Sequence, residues 1–282
     1  MKGLVVGGGG FIGMSYCGAV QELHKLGHLQ DCTYFSGSSI GSLVCVCYLM
    51  LIYEENIEET FKDVMIKLLD NYTEKDISLK SFFFNWGIYK RDTLKEDLHT
   101  FFKQYTNNYN PTFKEFFMFN KKTFLIAVSN ITKHQSQYMS HLNVPDVFVI
   151  DAILASTCIP FICEKVIIND EFFCDGCVFD QIPINPLLNY INNNEIIAIH
   201  NSSSAQKNYD IKDIKNYFLN IFYICSVKQI CPNIYNLINV NNKKVPLFTL
   251  DFEFLKTHLE YSFDLGKTAV NIWNENYLKK LL

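Results

Sequence analysis

Gly7-Gly8-Gly9-Gly10, with a fifth glycine at Gly13, separates a short apolar run from an amphipathic stretch. Consecutive glycines lose much chain entropy on folding, so such a loop is expected where backbone must approach a partner closely. Leu4-Val5-Val6 before it reads as a strand. After it, Met14, Cys17, Val20, Leu23 and Leu26 recur at helical spacing, and Gly27 is a natural stop. A strand over Cys32–Phe35, a turn over 36–42 and an apolar helix from Leu43 to Tyr53 repeat the pattern. A β-loop-α-β-loop-α opening predicts a parallel sheet with helices packed on it.

Further on, Ile57, Phe61, Val64 and Leu68 mark a helix, and 72–90 read as irregular and aromatic. Asp92 with Thr93 can cap a helix running to Gln104. Residues 122–128 read as a strand, and a short helix over 151–157 ends before Pro160. Residues 165–168 and 171–174 bracket Asn169-Asp170 as a hairpin, and 195–200 form a buried strand. Beyond Asn201 the chain reads as mostly helical, rich in asparagine and lysine. The expected organisation is one domain over 1–200, with 201–282 as a helical extension packed on it.

Composition narrows the function. With 49% hydrophobic and 19% charged residues among 282, disorder is excluded. A net charge of -4 and a single arginine, Arg91, disfavour nucleic acid as a partner. The N-terminal apolar run is too short for a signal peptide, and Leu43 to Tyr53 is shorter than the ~20 residues of a membrane helix. The ten cysteines sit inside apolar runs, which suits buried thiols in the cytoplasm or another reducing compartment. Cys174-x-x-Cys177 has zinc-ligand spacing, with Cys158 and Cys163 as a loose second pair. Buried thiols are the plainer reading, and neither a metal nor a cofactor is expected.

Three strings carry chemistry. The glycine loop suits an anion at a helix N-terminus. That anion is either a pyrophosphate, since Gly8-x-Gly10-x-x-Gly13 meets the dinucleotide fingerprint, or an oxyanion of acyl transfer. Gly37-Ser38-Ser39-Ile40-Gly41 matches G-x-S-x-G at a strand end, as in a nucleophile elbow. Asp175-Gly176-Cys177 places an aspartate among Phe172, Phe173, Cys174 and Val178, where an ionised carboxylate is costly without a partner. Under the dinucleotide reading, Asp31 would serve as the ribose acid. No tyrosine, however, has a lysine four residues on, as the short-chain dehydrogenase pair requires. Ser39, Asp175 and His200 also follow the chain order of a hydrolase triad, although the serine comes on only the second strand.

Taken together, the strings resemble the patatin-like phospholipase family over about residues 3–200. GGGGFIGMSYCGAV is like its oxyanion loop and first helix, and GSSIGS like its elbow. DAILASTCIPFI is like its A-S-x-x-x-P segment, and DGCVFDQIP like its D-G-[GA] motif. The resemblance implies an α/β, three-layer αβα fold with a central mostly parallel sheet and C-terminal helices. It implies a lipid acyl hydrolase with Ser39 as nucleophile and Asp175 as general base. Gly8, Gly9 and Gly10 would form the oxyanion hole, with Gly13, Gly37, Gly41 and Gly176 as motif glycines. A lipid ester would be the substrate, met by transient contact with a lipid surface, with the aromatic stretch Ser81–Tyr89 as acyl pocket, membrane-facing lip or plain core. Asp180 stands by as an alternative base. Ile12 replaces the family's usual basic residue, and Cys177 the small third residue of D-G-[GA]. A catalytically weak lipid-binding relic, or an NAD(P)-binding Rossmann-type protein, are the other readings.

Overall fold

The computed structural model describes residues 1–54, 56–70, 77–201, 217, 221, 234–245 and 252–281. The N-terminal half contains β1 (Gly3–Val6), α1 (Met14–Lys25), β2 (Tyr34–Ser38), α2 (Ile40–Leu51) and α3 (Ile57–Asp70). Then come α4 (Leu79–Asn85), β3 (Gly87–Tyr89), α5 (Asp92–Thr106), α6 (Phe113–Asn120), β4 (Thr123–Asn130) and β5 (Gln135–Met139). After α7 (Val149–Ser156) come β6 (Phe161–Cys163), β7 (Val166–Ile168) and β8 (Glu171–Asp175). The chain continues through β9 (Ile196–His200), β10 (Asn236–Asn239), α8 (Phe252–Thr257) and α9 (Leu259–Leu281).

Among the described residues, eight strands form one sheet in the order β10-β9-β1-β2-β4-β8-β7, with β5 also on β4. The pairings from β10 to β4 are parallel, and those of β5, β8 and β7 antiparallel. This is the central, mostly parallel sheet expected, flanked by helices. Side chains alternate across a strand, and each core strand obeys that period. Leu4 and Val6, Phe124 and Ile126, and Ile197 and Ile199 face the large core under α1, α2, α3, α5 and α7. Val5, Leu125, Ile196 and Ala198 face a thinner layer built on Ile182, Ile184, Leu187 and Ile191.

α9 lies against α1, and their backbones nearly touch. A Cβ on Gly18 would come 2.0 Å from the Phe263 carbonyl oxygen, and one on Gly266 would come 1.9 Å from that of Ser15. Asn242 ties this region to the start of α1 by donating to the Ser15 (2.9 Å) and Ser262 (3.2 Å) hydroxyls.

Four local expectations differ from what is found. Within 72–90, of which 77–90 are described, the chain forms α4, capped by Ser78, and then β3. Arg91, not Asp92, holds the cap position of α5, with no side-chain cap, and Asp92 falls in the first turn, where its charge suits the helix dipole. α6 was not anticipated; it starts at a Thr112–Glu115 capping box. Residues 236–239 form a strand because β9 offers them a parallel edge. The rest of the expected tail helicity, over 202–233, and Cys225 and Cys231 lie mostly or wholly outside the described residues. The other eight cysteines are buried free thiols, and among the described residues no group of three metal-ligating side chains converges. No described helix is long and apolar enough to cross a membrane.

Candidate active site

Parallel strands end together, and the loops at their C-terminal edge meet above them. Gly7 follows β1, Ser39 follows β2, and Asp175 ends β8, opposite Val128 of β4. β8 runs antiparallel, and Asp175 reaches the same place because it pairs with Val128, which follows Ala127, the partner of Ser38 on β2.

Ser39 occupies a sharp strand-to-helix turn with φ 52° and ψ -127°. A non-glycine residue there carries strain of order 1–3 kcal/mol, which tight surroundings must hold. Those surroundings are glycines. A Cβ on Gly41 would lie 2.1 Å from the Val6 carbonyl oxygen, and one on Gly37 would lie 2.6 Å from the backbone of Gly41. Gly13 packs as tightly on Ile40, and Gly176 on the Ala127 carbonyl.

The elbow brings two residues 136 positions apart into contact. Ser39 Oγ donates to Asp175 Oδ2 at 2.6 Å. The other carboxylate oxygen accepts the Cys177 N–H at 2.9 Å, so both oxygens are occupied. Asp175 is fully buried. Burial pushes its carboxyl up to about 6, against the opposing pull of the Ser39 hydroxyl, the Cys177 backbone N–H and side chain, and the positive charge of Arg91. That arginine, itself buried, donates to the Thr157 carbonyl at 2.9 Å and to the Thr157 hydroxyl.

The glycine loop lies over the serine. A Cβ on Gly8 would be 3.4 Å from Ser39 Cβ and only 1.9 Å from Cys177 Sγ. One of the three expected oxyanion donors is already committed: the Gly8 N–H donates to the Gln181 carbonyl at 2.9 Å. To hold an oxyanion, the Gly8 N–H would have to leave that carbonyl. No such backbone bond engages Gly9 or Gly10 N–H among the described residues. Tyr16 steadies the loop by donating its hydroxyl to the Gly8 carbonyl at 3.1 Å. Ile12, which the resemblance puts at a usually basic position, is buried.

The other candidates take no part in the Ser39–Asp175 bond. His200 ends β9 and sets its ring beside the glycine loop, with Nδ1 3.4 Å from where a Cβ on Gly7 would stand, while the two Asp175 oxygens bond Ser39 and Cys177. Its burial pushes the imidazole down to about 4. Asp180 accepts from the Tyr138 hydroxyl at 2.6 Å instead of from Ser39. Asp31 is exposed before β2, at the opposite end of that strand from the glycine loop. A ribose acid would stand at the same end as the loop, so the dinucleotide reading loses its second residue.

Ser156 and Tyr16 escaped the sequence reading. Ser156 Oγ accepts the Ser39 N–H at 2.9 Å and donates to the Ala127 carbonyl at 2.7 Å. It thus links the strained elbow to β4. Its signal was the A-S-x-x-x-P string itself, while Tyr16 carries none. Ser156→Ala leaves a buried N–H and a buried carbonyl short of a partner. A loss of about 1–3 kcal/mol in unfolding free energy is expected by denaturant titration, with turnover reduced as the elbow loosens.

A family model for patatin-like phospholipases matches residues 4–188. A probable lipid hydrolase, 463L of Invertebrate iridescent virus 6, is 25% identical over 258 residues, 88% of this chain and 85% of that protein. The uncharacterized protein R571 of Acanthamoeba polyphaga mimivirus is 27% identical over 180 residues, covering 62% of this chain and 58% of its own length. Among solved structures, VipD from Legionella pneumophila superposes with a TM-score of 0.56 at 16% identity, over 96% of this chain and 66% of VipD. The chain thus spans less than two thirds of R571 and of VipD, and the VipD likeness bears on the fold alone. On the match of most of its length to the family model, this chain belongs to the patatin-like phospholipase family.

Proposed function

We propose that the chain hydrolyses carboxylic esters of lipids, phospholipid or acylglycerol, through an acyl-enzyme on Ser39 with Asp175 as general base. The observation that carries this is the 2.6 Å hydrogen bond from Ser39 Oγ to a buried carboxylate. A serine hydroxyl is a weak nucleophile until a base takes its proton. Asp175 would take it directly, and a pKa raised to about 6 makes it a stronger base than an exposed aspartate.

Ser39 Oγ attacks the ester carbonyl carbon as its proton passes to Asp175. The carbonyl oxygen takes up negative charge. The Gly9 and Gly10 N–H groups, together with the N-terminus of the 12-residue α2, favour that charge. The tetrahedral intermediate collapses, and the leaving alcohol takes the proton from Asp175. Water then attacks the acyl-enzyme, giving its proton to Asp175, and the fatty acid departs as Ser39 regains a proton. Protein groups and water supply every step. The iridescent virus relative, itself described as a probable lipid hydrolase, agrees with a lipid ester as substrate.

A fluorophosphonate probe and a soluble chromogenic acyl ester test this reading. Wild type is expected to gain one adduct by intact mass and to turn the ester over, and folded Ser39→Ala to do neither. A folded wild type that takes no adduct and releases no chromophore is the lipid-binding relic instead.

A further inference from the structure

We propose that the aromatic rim formed by α4, β3 and β6 docks the protein on an anionic lipid surface, presenting the site to its ester. The identity of the ester rests on the function proposed above, whereas the docking itself does not. Phe83 is 77% exposed, Phe84 68% and Trp86 53%. They are continuous with Phe161, also half-exposed, because β3 pairs with β6 and places Gly87 beside Phe161. A plain core segment would have turned these rings inward, as Ser81 and Tyr89 are turned at either end.

Two of the rings sit on unfavourable backbone. Trp86 has φ 63° and Phe161 φ 65°, in the left-handed region that bulky residues avoid. Trp86 occupies the position after α4 where glycine or asparagine is usual. Conformational strain spent on holding large aromatics at the surface marks a contact surface more than a packing need.

Between these rings lies an apolar groove of about 350 Å³, lined by Trp86, Ile131, Phe161, Phe172 and Cys174 among others. It shares β8 with the site. β8 runs from Phe172 to Asp175, three residues or about 10 Å, and the Ile131 N–H donates to the Phe172 carbonyl at 2.9 Å. The groove's Phe172 and the base therefore stand on the same strand, about 10 Å apart along it.

Charge selects the occupant. Lys165 Nζ stands 4.2 Å above the Trp86 ring, and Lys80 Nζ 6.0 Å from the Phe84 ring. The neighbouring carboxylate, Glu164, is turned onto Ser81 and Asn85 of α4. Exposed phenylalanine and tryptophan beside lysines suit the boundary of an anionic bilayer.

The test uses Ser39→Ala, so that hydrolysis plays no part in the readout. It is sedimented with phosphatidylcholine vesicles, with and without phosphatidylglycerol, alone and carrying Phe83→Ser with Phe84→Ser. Both side chains are so exposed that the variant should melt with its parent, which a thermal scan checks. The parent is expected to bind the anionic vesicles more tightly, and the double substitution to weaken binding about tenfold or more. Lys165→Gln should lower the preference for phosphatidylglycerol. Equal sedimentation of parent and double variant, or no binding by either, overturns the proposal. So does a lipid-free dimer, seen by analytical ultracentrifugation, that the two serines dissociate, because the rim would then join two copies. Loss of docking would leave soluble-ester hydrolysis standing, and absence of hydrolysis would leave docking standing.

Discussion

Asp175→Asn is expected to lower soluble-ester turnover about 10²–10⁴-fold, the usual worth of a positioned general base. The amide can keep the local bonds, accepting from the Cys177 N–H and donating to Ser39 Oγ, but it cannot take the serine proton. Residues that act as one unit are not additive. Ser39→Ala with Asp175→Asn should therefore cost no more than Ser39→Ala alone, by initial rates on the same ester. Near-wild-type turnover by Asp175→Asn would remove Asp175 from the chemistry. The pH profile follows from the same carboxyl. Its pKa is raised to about 6 by burial. Below that value the base is protonated, and kcat/KM should fall about tenfold per pH unit.

Stability carries the opposite sign. The folded pKa lies above the unfolded ~3.9, so ionisation opposes folding. The stabilisation from this group is fully present below about pH 4 and is lost as pH rises through about 6, roughly 3 kcal/mol in all. Asp175→Asn carries no charge to bury. It is expected to melt no lower than wild type at pH 7.5, and the part of the wild-type loss between pH 4 and 6 that Asp175 causes should be absent from it. Less turnover without less stability is a signature that simple misfolding would not produce.

Gly8→Ala is the second large effect. The new methyl would stand 1.9 Å from Cys177 Sγ, well inside van der Waals contact. Overpacking of this kind costs about 1–3 kcal/mol. Relief by moving the loop would break the Gly8–Gln181 hydrogen bond and shift Gly9 and Gly10 above Ser39. A lower melting temperature and a loss of turnover of at least about tenfold are expected. Cys177→Ala removes the offending sulfur and puts in place a residue that the family motif accepts. The double variant should recover most of both losses, with a coupling of roughly 0.5–3 kcal/mol in a double-mutant cycle. Purely additive effects would mean that the sulfur is not what holds Gly8 to glycine.

The core strands β1, β4 and β9 are legible because each alternates between two apolar faces, and α1 and α2 because their apolar runs are long; β5, Gln135–Met139, is too polar to be read as a strand. The turn Asn169-Asp170 is legible too, and both residues adopt positive φ. β10 is not legible: its four residues become a strand only because β9 offers an unpaired edge. α6 was legible and overlooked, since Thr112-x-x-Glu115 before an apolar run is a capping signal. The site divides in the same way. G-x-S-x-G and the apolar setting of Asp175 stand in the string, whereas the Ser156 latch depends on α7 packing against β4, beside the elbow.

By itself the sequence determined where backbone could come close, at the glycines, and which side chains had chemistry to offer. Those are local properties of residue size, conformational freedom and polarity. Tertiary structure alone decided which of them meet. It joined Ser39 to Asp175 across 136 residues, left His200, Asp180 and Asp31 out of that bond, and committed the Gly8 N–H to Gln181. It also set the proton affinity of Asp175, because desolvation depends on what surrounds a carboxylate in space and not on its neighbours along the chain.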